Sequence, residues 1–167
     1  MREATAEPAA SGPVQHLSFS VAGSTFGVPV LRVKEIVQYE SETRIPGAPA
    51  SVRGVINLRG AAVPVVDLGV KFGRAEVEPT SRTCVLVVES RAEDGPCVLG
   101  VIADCVHEVV DLSEADVEPP PQFGVGVETE YLHGVGKVGK EFVLLLDLDA
   151  ALSHLERARV SELATAG

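Results

Sequence analysis

A mainly β protein made of two related barrels, ending in a short C-terminal helix, is what this 167-residue sequence predicts. Three observations carry the prediction. Short segments with strand periodicity follow one another, punctuated by Gly and Pro at intervals too close for long helices. A strand-rich unit of sequence occurs twice. Helical patterning is confined to the C-terminus.

The elements follow in order. Residues 1–13 are polar, Ala-rich and charged, and are expected to form a flexible tail. Leu17, Phe19 and Val21 alternate with His16, Ser18 and Ser20, and Phe26, Val28 and Val30 alternate with Thr25, Gly27 and Pro29. A period of two marks half-buried strands. The apolar runs 52–58, 62–68, 83–88, 98–103 and 142–148 are short, as more deeply buried strands are. Asp147 or Asp149 is placed to cap a final helix, with Leu152, Leu155 and Leu163 roughly on one face and Glu156, Arg157 and Glu162 outside.

The repeat runs through most of the chain. Gly27, Val33, Glu35 and Val37 recur at a constant offset as Gly100, Val106, Glu108 and Val110. Val52, Gly54, Val65, Asp67 and Leu68 recur as Leu132, Gly134, Leu145, Asp147 and Leu148, at an offset larger by the length of a loop insertion in the acidic, Pro-rich segment 116–130. Two copies of one strand-rich unit imply two related barrels packed together, and barrel closure hides sheet edges. Positions present in both copies are expected to be scaffold. A residue present in one copy only is a better candidate for a private role, and the clearest is Arg59, whose counterpart is Gly139.

Composition excludes several functions. The net charge is −10, and the stretch between Arg91 and Lys137 carries all of it, with ten acidic residues and no Lys or Arg. Such a surface repels phosphate backbones, which argues against nucleic acid as a partner. No apolar run approaches the ~20 residues that span a bilayer, and no secretory signal opens the chain, so a cytoplasmic protein without membrane insertion is expected. Cys84, Cys97 and Cys105 are too few and too oddly numbered for a disulfide framework and are expected to be core thiols.

Reactive constellations are missing from the sequence. Gly134, Gly136 and Gly139 match G-x-G-x-x-G, but a strand pattern follows them where a dinucleotide site needs a helix. Cys105 and His107 form a single close pair, whereas a zinc site needs convergent pairs. There is no nucleophile elbow and no phosphate-binding loop. No enzyme activity, metal or cofactor is expected.

Val33 to Ile36, then Arg53 to Gly60 with the Asn57-Leu58-Arg59-Gly60 turn, Val63 to Leu68, and Phe72-Gly73 together resemble the CheW family of chemotaxis adaptors. The resemblance returns at Gly100 to Asp104, Val106 to Val109, Pro119 to Pro121, Glu130 to Gly134 and Leu144 to Leu148, so it covers roughly residues 14–153. It implies two five-stranded SH3-like β-barrels around a shared core. The domain is expected over 14–153, with 14–75 and part of 142–153 in one barrel, 83–148 in the other, and 154–167 as a helix or tail.

The resemblance also implies partners: the cytoplasmic tip of a methyl-accepting chemoreceptor, held in a groove between the barrels, and the regulatory domain of the histidine kinase CheA. It implies recruitment to receptor arrays at the inner membrane. Glu35 and Arg59 match the family's characteristic acid and base, which implies an ion pair. Val33, Glu35, Leu58, Arg59, Val101, Ala103 and Val106 are the candidate receptor-binding residues, and Ile36, Arg53 and Ala62 the candidate kinase-binding residues. The chain departs from the family pattern at Gly69-Val70-Lys71, where many members carry an Arg, and at Ala61 and Ala62, which are smaller than usual. Two alternatives stay open: the same adaptor in a related motility or developmental pathway, and a small-ligand or enzymatic double barrel.

Overall fold

A computed structural model describes residues 13–76, 78–92, 95–120 and 131–151, and in them the chain forms two antiparallel-rich sheets, each rolled into a barrel. The strands are β1 (Val14–Val21), β2 (Ser24–Pro29), β3 (Val33–Gln38), β4 (Val52–Leu58), β5 (Ala61–Val66), β6 (Cys84–Ala92), β7 (Gly95–Ala103), β8 (Cys105–Leu112), β9 (Val117–Glu118), β10 (Leu132–Val138) and β11 (Glu141–Leu146). Single helical turns α1 (Leu68–Lys71) and α2 (Leu148–Ala151) follow β5 and β11. One sheet has the order β3-β6-β7-β5-β4 and the other β8-β1-β2-β11-β10-β9. Apart from the two-residue β9, the orders are the same under the repeat.

The repeat and the barrels are nonetheless out of phase, which corrects the expected partition. All five strands of one barrel lie between Val33 and Ala103, and the other barrel joins β1 and β2 to β8–β11. Each repeat is a hairpin followed by three strands, and each barrel takes its hairpin from the other repeat. The chain therefore crosses between barrels twice, once through a 3-10 turn at Val30–Arg32 and once at Asp104. Sequence similarity marks equivalent strands but not which copy of a hairpin each sheet recruits.

Strand patterning explains the burial. Leu17, Phe19 and Val21 enter a core cluster with Phe26, Val28, Val66, Leu86, Val88, Leu99, Val101, Leu144 and Leu146, drawn from both sheets. A second cluster of Val110, Leu112, Val143 and Leu145 fills the interior of one barrel. β1 thus has the shared core on one face and the barrel interior on the other. His16 and Ser18, expected on an exposed face, are buried, and Ser18 Oγ meets its hydrogen-bonding need on the backbone of Glu108 across the bulge in β8. β3, β8 and β10 lie outside the expected runs: β3 and β8 are edge strands whose apolar residues are interrupted by Lys34 and Glu35 and by His107 and Glu108, and β10 carries Gly134 and Gly136, which have no side chain to mark the strand period.

Four of the repeated positions, Gly54, Gly134, Asp67 and Asp147, act as scaffold. A Cβ on Gly54 would lie 2.2 Å from the carbonyl oxygen of Thr43, and one on Gly134 would lie 2.7 Å from that of Glu118, so neither position admits a side chain. Asp67 accepts a hydrogen bond from Val70 N at 3.3 Å and Asp147 one from Ala150 N at 3.1 Å, each capping the turn that follows. Of the two caps foreseen for the last helix, Asp147 is the one used. The remainder of that helix, with Leu152, Leu155 and Leu163, lies outside the described residues, as do the tail at 1–12 and most of the insertion at 116–130.

Candidate functional site

The β4–β5 turn carries Arg59, an exposed member of the candidate set. Arg59 and Gly60 connect Leu58 to Ala61, and both have positive φ, 52° and 89°. Two left-handed residues match the twist of a tight hairpin, and Gly is suited to them while Arg is not. Asn57 Oδ1 accepts from Gly60 N at 2.8 Å and closes the turn. At the equivalent position of the other barrel the residue is Gly139, with φ 63°. Among the described residues the one other non-glycine with positive φ is Ala22, whose N–H and carbonyl are held from outside by Asp104 and Arg74.

Arg59 reaches Glu35 on β3 with both terminal nitrogens, Nη1 at 3.1 Å from Oε1 and Nη2 in contact with Oε2. The fork-to-fork geometry fixes the guanidinium plane. Hydrogen bonding and charge from Glu35 raise the Arg59 guanidinium above its already high value, so it stays cationic. Glu35 sits at a bulge in β3 and Arg59 at the end of β4, and these two strands are the open edges of the five-stranded sheet. The ion pair clasps that seam. In the other barrel the seam is covered by β9 on β10, with Lys137 and Glu118 paired at 2.5 Å.

An open groove of about 430 Å³ lies between β3 and β4, lined by apolar Val37, Val55 and Leu58 and by polar Gln38, Thr43 and Asn57 among others. Leu58 is half-buried on its wall. Ile36 and Ala62 are exposed, as a contact surface requires. Val33 and Val106 are half-buried, pack on the shared core, and flank the two crossings between barrels.

Three candidates are placed elsewhere. Val101 and Ala103 are fully enclosed in the shared core. Arg53 is only 5% exposed and pairs with Asp67 at 3.0 Å, with Glu76 at 3.7 Å and Glu42 at 3.9 Å beyond. The structure places these three in the interior of the fold and not on a contact surface. The repeat contains the reason for Arg53: its counterpart is His133, which lies 3.8 Å from Asp147, so both barrels place a basic side chain by the capping aspartate.

The structure adds exposed apolar residues that the sequence reading missed. Leu31, on the first crossing, is 96% exposed; Val109 and Phe142 also stand out in solvent. The repeat held a signal for each. Val109 is the counterpart of Ile36 and Phe142 of Ala62, and Leu31 is apolar where its counterpart, Asp104, is an acid. Cys105 Sγ lies 3.9 Å from His107 Nδ1, and among the described residues no three His, Cys, Asp or Glu side chains converge as metal ligands.

Comparison with known proteins agrees with this geometry. A family model described as a CheW-like domain matches residues 15–156. The chemotaxis protein CheW of Klebsiella aerogenes is 37% identical over 90% of this chain and 88% of its own. Protein FrzA of Myxococcus xanthus is 32% identical over 86% and 88%, and protein PilI of Pseudomonas aeruginosa 30% identical over 80% and 75%. The crystal structure of the scaffolding protein TtCheW from Thermoanaerobacter tengcongensis superimposes with a TM-score of 0.75 at 30% identity, covering 86% of this chain and 90% of that one.

Proposed function

The chain belongs to the CheW family of chemotaxis scaffold proteins, and on that premise we propose that it couples methyl-accepting chemoreceptors to the histidine kinase CheA through protein contacts alone. The observation that supports this most is Arg59. The fold accepts glycine at the equivalent turn position in the other barrel, yet here an arginine is held in a left-handed conformation, 72% exposed and oriented by Glu35. Backbone strain kept where the scaffold does not need it points to a contact made with something else. An oriented, weakly hydrated guanidinium is a common interface anchor.

The receptor tip, a helical hairpin, is assigned to the surface at the crossings, where Leu31, Val33 and Val106 offer apolar side chains beside the Glu35–Arg59 clasp. Helix-in-groove recognition takes its affinity from such side chains. The kinase regulatory domain is assigned to the exposed end of the five-stranded barrel at Ile36 and Ala62. No helix among the described residues is long and apolar enough to cross a membrane, and receptor arrays at the inner membrane are the proposed location. A second reading, the same adaptor in a related motility or developmental pathway, is favoured by the similarity to FrzA and PilI.

The test is kinase autophosphorylation in membranes carrying a cognate receptor and CheA, with and without this protein. Addition is expected to raise the activity strongly and to make it ligand-sensitive. Arg59→Ala and Arg59→Gly are expected to fold and to stimulate far less. A wild-type protein that both partners ignore refutes the coupling role, and an unfolded Arg59→Gly refutes the assignment of Arg59 to a partner.

A further inference from the structure

At the margin of the shared core a single carboxylate hydrogen-bonds across from one barrel to the other. Asp149 lies in α2, after the last strand of the six-stranded sheet. Its Oδ1 accepts from Ser90 Oγ at 3.1 Å and from Arg91 N at 2.8 Å, both in β6 of the other barrel. Its Oδ2 accepts from Arg32 Nη2 at 2.9 Å, on the first crossing. Arg32 in turn donates from Nη1 to the carbonyl of Glu89 at 3.1 Å, again in β6. The carboxylate therefore binds one barrel, the crossing and the other barrel at one point.

The repeat shows that the fold does not demand this carboxylate. The counterpart of Asp149 is Gly69 in α1, and on that side the facing hairpin residue, Ala22, is held by Asp104 and Arg74 instead. Two otherwise equivalent helical turns thus differ in having or lacking a side chain that grips the opposite barrel. Arg32 carries Leu31, the most exposed apolar residue of the crossing, as its neighbour.

We propose that Asp149 is a positioning residue for receptor recognition: by clamping α2 to β6 and Arg32, it fixes the orientation of the barrels at the crossing, and so the spacing of the apolar side chains that grip the receptor tip. The kinase surface at Ile36 and Ala62 lies within one barrel and is indifferent to that orientation. The proposal rests on the adaptor reading for its partners, while the clamp itself is tested without them.

The clamp is tested first by amide hydrogen exchange on the full chain. Asp149→Ala is expected to speed exchange at Arg91 and in the crossing at 30–32 while leaving the interior strands β7 and β2 protected. Binding of an isolated receptor-tip hairpin and of the kinase regulatory domain is then measured by calorimetry. Receptor affinity is expected to fall by about tenfold, in the ordinary range of coupling between two sites, with kinase affinity unchanged. Asp149→Asn keeps an acceptor for Ser90 and Arg91 but turns an NH2 donor toward Arg32, so it is expected to restore protection at Arg91 and to recover only part of the receptor affinity. Equal loss toward both partners, no loss toward either, or unaltered exchange at Arg91 would each overturn the proposal. A wild-type chain that binds neither partner refutes the adaptor reading instead, and the exchange result still decides whether the clamp exists.

Discussion

Replacing Asp67 and Asp147 separately by alanine divides a buried ion pair from a helix cap within one molecule. The two residues are repeat counterparts, and each accepts from a backbone N–H three residues on. Asp67 is buried and also holds the guanidinium of Arg53, itself almost without exposed surface. Asp147 is half-exposed and faces His133, which is largely in solvent. Loss of a cap costs about 1 kcal/mol. Loss of one partner from a buried pair costs about 3–5 kcal/mol, because the other charge is left without its counterion. Glu42 and Glu76 remain within 3.9 Å and 3.7 Å of Arg53 Nε, which favours the lower end.

Asp67→Ala is therefore expected to lose about 4 kcal/mol and Asp147→Ala about 1 kcal/mol. For a chain of this size each kcal/mol moves the melting temperature by about 2–4 °C, so the two variants separate by roughly 6–12 °C. Urea unfolding followed by circular dichroism supplies the free energies, with the slope checked to be unchanged. The double variant Arg53→Met/Asp67→Ala removes both charges and is expected to recover most of the pair's contribution, leaving mainly the lost cap. If Asp67→Ala and Asp147→Ala melt together, the Arg53 pair contributes nothing and its assignment to the scaffold is wrong.

Other expectations test separate parts of the structure. Burial holds the His16 imidazole below its usual value near 6.5, and repulsion from His133 acts in the same sense. The unfolded chain then takes up the proton first, so stability is lost as pH falls below about 6.5 until the depressed folded value is passed; urea midpoints at pH 8 and pH 5.5 are expected to differ by less in His16→Leu. Gly54→Ala, which forces a Cβ onto the Thr43 carbonyl, is expected to cost more than about 2 kcal/mol, whereas Gly60→Ala meets nothing within 4 Å and carries only the left-handed penalty of about 1 kcal/mol. Comparison of their urea midpoints checks the order. Leu31→Ser is expected to leave stability within about 0.5 kcal/mol while weakening receptor-tip binding in calorimetry; a large fall in stability would place Leu31 in the core.

Local chemistry made much of this protein legible from its residues. Strand periodicity, Gly and Pro punctuation and the capping aspartates depend on neighbours a few positions apart, and β1, β2, β4, β5, β6, β7, β11 and α2 follow them. The repeat, being a comparison of the chain with itself, identified Gly54, Gly134, Asp67 and Asp147 as scaffold and Arg59 as an exception. Tertiary structure alone decided which hairpin completes which barrel, because hairpins with equivalent patterning fit either sheet and the choice lies in the two crossings. It also decided burial where a residue's type misleads. Arg53 is enclosed by carboxylates that arrive from three separate segments, at Glu42, Asp67 and Glu76, and Leu31 is left in water because the chain turns there from one barrel to the other. Neither environment is encoded within reach of the residue that experiences it.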